Sequence, residues 1–123
     1  MITEHISTIL YVSGAITALG SIQFFAPTFY SKTILNVQLK DDLTRFYFVH
    51  WGVLVLCMAI LMLLAASNEV LQHSVLTVVL LEKLVLVAMI LRDIKKPFTQ
   101  KMKAVALFDG CCVLLFGAAL AGW

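Results

Sequence analysis

Apolar positions in this chain run in long unbroken stretches instead of alternating or recurring on one helical face. Four stretches stand out, over residues 6–26, 43–66, 70–91 and 102–123. A helix needs roughly 20 mainly apolar residues to cross about 30 Å of hydrocarbon, so each stretch predicts a membrane span. The first carries no charge, only the polar spots Ser7, Thr8, Ser13, Thr17, Ser21 and Gln23. The second opens with Thr44-Arg45-Phe46-Tyr47 and is then apolar from Trp51 to Ala66. Glu82-Lys83 interrupts the third, and the fourth holds one acid, Asp109. The expected fold is therefore all-α: an integral membrane four-helix bundle in antiparallel up-down order, forming one domain over residues 1–123.

The breaks between spans have the chemistry of helix ends. Pro27 follows the first span, where its missing N–H and fixed φ suit a terminus. Ser67-Asn68-Glu69 leaves so short a link that the second and third helices must be antiparallel neighbours. Pro97 lies in a polar loop over residues 92–101. The loop over 28–42 is longer, and Phe29, Tyr30, Ile34, Leu35, Val37 and Leu39 make it amphipathic enough for a helix lying on the membrane surface.

Composition agrees with lipid as the outer solvent. Of 123 residues, 62% are hydrophobic and 13% charged, against about 25% charged in an ordinary soluble domain. The length excludes a transporter built from two large repeats. The net charge of +2 matters less than its placement. Lys32, Lys40 and Arg45 lie in or beside the first loop, and Arg92, Lys95, Lys96, Lys101 and Lys103 in or beside the third. The positive-inside tendency places both loops in the cytoplasm and both termini outside, in a plasma (inner) membrane. The segment Met1 to His5 carries Glu4 and no Lys or Arg, unlike the start of a signal peptide, so the first span is expected to remain in place. The loop lysines could attract anionic headgroups, although topology alone requires most of them. No nucleic-acid partner is expected.

Ionisable groups at membrane depth cost about 2.5–3.5 kcal/mol each on the insertion scale, so each calls for a partner or a function. At 1.5 Å per residue, His50 lies roughly 9 Å, Asp109 roughly 10 Å and Glu82 roughly 15 Å from the cytoplasmic ends of their spans. Three helices thus bring such groups into one half of the bilayer. Glu82 and Lys83 are adjacent and point about 100° apart, so neither suits the other as a partner. A Lys83–Asp109 pair is expected, which leaves Glu82 to seek His50, Trp51, Tyr47, Gln23 or Ser21. The cluster reads equally as a knot that fixes helix register and as a cavity for a proton, ion or small polar ligand.

Other chemistry is thinner. Cys111-Cys112 and Cys57 form no Cys-x-x-Cys motif and read as small core residues. His50 and His73 sit near opposite faces of the membrane, and a zinc site would have only His50, Glu82 and Asp109 to draw on. Phosphate-loop and nucleophile-elbow motifs are lacking, and no cofactor is expected. Ala106, Gly110, Gly117 and Ala121 form a stripe that allows close approach of another helix, within the chain, in a homo-oligomer or in a partner membrane protein, and Gly14 and Ala18 repeat the idea.

The arrangement resembles the DoxX-like group of small four-helix membrane proteins. The resemblance rests on Gly20-Ser21-Ile22-Gln23-Phe24-Phe25-Ala26-Pro27 at the exit of the first span, and on Arg45 opening the second, followed by His50-Trp51-Gly52. Arg92 then precedes a loop with Pro97, and an acid, Asp109, sits early in the fourth span where Glu is commoner. It implies the four-helix fold and a role for Arg45, Arg92 and Asp109, and names no activity. Glu82-Lys83 and Cys111-Cys112 depart from the group's pattern.

The function expected from these residues is non-enzymatic: binding of a small or apolar ligand or a partner membrane protein, with His50, Glu82, Lys83, Asp109, Arg45, Gln23 and Trp51 as the site. An oligomeric proton-coupled transporter using Glu82 is the alternative, with Lys83 opposing any cationic substrate. A quinone-binding redox subunit using His50, Trp51 and Asp109 comes third.

Overall fold

The computed structural model describes residues 2–123, and no strand occurs among them. A 3-10 turn, Thr3–His5, leads into α1 (Ile6–Leu19), and a short α2 (Ile22–Phe25) follows after Gly20 and Ser21. Next come one turn of helix, α3 (Pro27–Phe29), and a π-helical stretch, Tyr30–Ile34. The long α4 (Asp42–Ala66) and α5 (Glu69–Arg92) precede a 3-10 segment, Pro97–Met102, and α6 (Lys103–Leu120). Four stretches, Thr3–Phe25, Asp42–Ala66, Glu69–Arg92 and Pro97–Leu120, are long and apolar enough to cross a membrane.

The boundaries follow from local chemistry. Asp41 caps α4, its carboxylate accepting the Thr44 N–H at 2.6 Å, and Asn68 caps α5, its side-chain oxygen accepting the Val70 N–H at 3.0 Å. Pro27 and Pro97 stand at the starts of their turns, where no helical N–H is missed. The first loop differs from the expected surface helix. Its helical geometry stops at Leu35, because Asn36 takes a left-handed φ of 53° and the Val37 amide turns back to the Ser31 carbonyl at 2.8 Å. Asn is among the few side chains that tolerate this conformation. Leu35 is buried beneath the turn, and the chain then runs without regular structure to Asp41.

One enclosed core draws on every span: Leu10 from α1, Met62 from α4, Val79 from α5 and Phe116 from α6. The helix α1 lies against α4, α4 against α5, and α5 against α6. Small residues permit the closest approach. A methyl group at Gly14 would lie 3.2 Å from Met62 and Leu63, and one at Gly52 would lie 2.5 Å from the backbone nitrogen of Phe24. The α6 stripe behaves differently, since no atom lies within 4 Å of a methyl group placed at Gly110 or Gly117. Among the described residues no other helix fills the space in front of these glycines.

Outside the core the surface is apolar. Leu114 and Leu107 on α6 are 74% and 72% exposed, and Leu43 and Leu81 on α4 and α5 are 67% and 62% exposed. Such side chains ringing closed helices suit hydrocarbon and not water. The four apolar helices fit a multi-pass membrane protein.

Candidate functional site

The deep ionisable residues divide into a pair and two single groups. Lys83 is 3% exposed and Asp109 4% exposed, and Lys83 Nζ donates to Asp109 Oδ1 at 2.7 Å. The same ammonium lies 5.1 Å from the centre of the Phe108 ring, a second electrostatic contact. An ion pair removed from water needs such geometry to offset the loss of hydration. Lys83 lies on the side of α5 that meets α6, and Cys112, three residues beyond Asp109, is buried in the core below the pair.

Glu82 does not join them. It is half-buried in a cleft of about 600 Å³ between α4 and α5, lined by Trp51, Val78, Leu81, Val85, Leu86 and Met89. Its carboxylate has no hydrogen bond or ion pair to any described residue, and of the partners expected for it only Trp51 lines the cleft. His50 lies elsewhere, exposed on an α4 face that it shares with Asp42, Arg45, Phe46, Val49 and Val53. The four-group cluster expected from sequence is therefore corrected to one buried pair and two separate groups. Matching depths gave the groups a common level, but helix rotation sends them to different faces.

Two further candidates have local roles. Gln23 is 2% exposed and donates from Nε2 to the Phe48 carbonyl at 2.8 Å, stitching α2 to α4 where Gly52 admits the Phe24 backbone. Arg45 Nη1 donates to Thr28 Oγ1 at 3.1 Å, tying the first loop to the start of α4. In the third loop Asp93 accepts from Arg92 at 3.1 Å and lies 3.3 Å from Lys96. The Arg92 hydrogen bond and charge hold the Asp93 carboxyl below the usual carboxylate range. Among the described residues no three His, Cys, Asp or Glu side chains converge as metal ligands. Cys57 and Cys111 are exposed and Cys112 buried, all as free thiols.

Sequence reasoning missed the apolar walls of the cleft. Val78, Leu81, Glu82, Val85, Leu86 and Met89 recur at steps of three, one, three, one and three, which is one face of a helix. That spacing was available, but in a helix apolar all round it marks no face as special. Comparison with family models, with curated proteins and with solved structures gives no match.

Proposed function

We propose that this chain is a non-enzymatic integral membrane protein that binds a small, largely apolar ligand in the cleft between α4 and α5. One observation carries the reading: Glu82, beside Trp51 in an apolar cleft, forms no hydrogen bond or ion pair with any described residue, while the other deep acid, Asp109, is neutralised by Lys83. A few convergent polar groups in a mainly apolar concavity of about 300–1,000 Å³ is the usual form of a small-molecule site. The Lys83–Asp109 pair serves as the internal anchor that holds α5 and α6 in register.

The arrangement belongs to an antiparallel up-down bundle with both termini outside and the first and third loops in the cytoplasm. Gly14 beside Met62 together with Gly52 beside Phe24 supports opposite directions for α1 and α4. Thr3, bonded through its amide and hydroxyl to the Trp123 carbonyl at 2.8 and 2.6 Å, supports termini at one end. The concentration of Lys and Arg in the two loops supports their cytoplasmic side and an inner membrane. Kinship with the DoxX-like group is part of the same proposal, supported by Arg45 opening α4 and Asp109 early in α6.

Purified protein should show saturable binding of radiolabelled tetraphenylsilane or tetraphenylphosphonium in a detergent scintillation assay. Val85→Trp, which fills the cleft, should abolish it without lowering the melting temperature. Linear, non-saturable uptake of both probes contradicts the reading. The free Glu82 carboxylate also favours a second one, an oligomeric proton-coupled transporter, which requires uptake driven by a pH gradient and lost in Glu82→Gln.

A further inference from the structure

The chemistry of the α4–α5 cleft follows from where α5 sends two adjacent charges. Successive residues on a helix point about 100° apart. Lys83 goes to α6, where Asp109 balances its charge at 2.7 Å and the Phe108 ring flanks it at 5.1 Å. Its ammonium still acts on Glu82 through space, but the Asp109 charge acts against it there, so a positive charge entering the cleft meets a paired cation and not a bare one. Glu82 goes to the cleft, and none of Trp51, Val78, Leu81, Val85, Leu86 and Met89 brings a charge to answer it. What remains is one carboxylate and one indole among methyl and thioether groups.

We infer that the cleft selects a lipophilic cation, of the quaternary ammonium or phosphonium class, over neutral and anionic molecules of the same shape; the inference rests on the cleft being a ligand site. Glu82 meets the charge. Trp51, whose face is the best cation–π partner among side chains, meets its flank, and the aliphatic walls take its hydrocarbon substituents. A neutral guest has no charge for Glu82 to meet, and an anion finds no positive side chain in the lining. The cleft is open along the outer surface, where Leu81 is 62% exposed, so the ligand arrives from the bilayer and must itself be lipid-soluble.

Three probes of nearly one shape separate the terms: tetraphenylphosphonium, tetraphenylsilane and tetraphenylborate, titrated against the full-length protein in one detergent. The expected order is phosphonium about tenfold tighter than silane, the scale set by a single ion-pair and cation–π contact, with borate unbound. In Glu82→Gln the phosphonium and silane constants should converge, and Trp51→Leu should weaken phosphonium more than silane. A melting curve for each variant checks that it folds, and the ranking on the unaltered protein needs no variant. Equal binding of phosphonium and silane, or a preference that survives Glu82→Gln, overturns the inference and leaves the cleft as a site for apolar ligands. Saturable binding of none of the three overturns both readings.

Discussion

Removing the ammonium group of Lys83 strands the Asp109 carboxylate, which is 4% exposed and pairs with no other basic side chain among the described residues. Breaking one side of a buried pair costs about 3–5 kcal/mol, whereas replacing both partners with apolar groups is often neutral. Lys83→Met should therefore lower unfolding stability in detergent strongly, and Lys83→Met with Asp109→Leu should regain most of it. Additive losses in that cycle would mean that the two residues do not stabilise each other. The pair was legible in the sequence because a lysine in mid-span has few acids to choose from. Glu82 was not legible in the same way. Its surroundings depend on how α5 is rotated against α4, and Val78, Leu81 and Val85 look no different in the sequence from Val75, Leu76 and Val79, which face the core.

Among the elements, the start of α4 offers the clearest handle on pH. The Thr44 N–H, donated to Asp41, holds the Asp41 carboxyl below the ordinary range, near pH 4 for a free Asp. A folded-state value below the unfolded one adds stability above the unfolded value and loses it as pH falls through the folded one. Asp41→Ala should thus melt below the unaltered protein at neutral pH, and the gap should close in acid; a gap that is constant from neutral to acid pH rules out the cap's carboxylate as its source. Asp41 sits at the end of the loop in which sequence and structure part. The apolar residues of the loop suggested one amphipathic helix, but Asn36 breaks it and Leu35 folds inward. A single left-handed residue is invisible to a periodicity argument.

At the scale of the whole molecule, length and apolar content suffice to reveal four spans, because hydrocarbon sets the length of any helix that crosses it. They do not reveal which faces meet. In water an apolar stripe marks the buried side, but Leu107 and Leu114 are as apolar as the core and lie outside it. The informative signals are the small residues and the charges: Gly14 and Gly52 mark where α1 and α2 close on α4, and Lys83 and Asp109 mark where α5 meets α6. Gly110 and Gly117 show that a small residue alone is an ambiguous mark, since the same stripe that could seat a helix stands open.

The division of the deep acids into one committed and one free can be read directly with a lipid-soluble carbodiimide, which modifies carboxyl groups reachable from the bilayer. Treatment of the membrane-embedded protein, followed by peptide mass mapping, should place the adduct on Glu82 and leave Asp109 unmodified until Lys83 is replaced by Met. Modification of Asp109 in the unaltered protein, or an unreactive Glu82, would contradict the account.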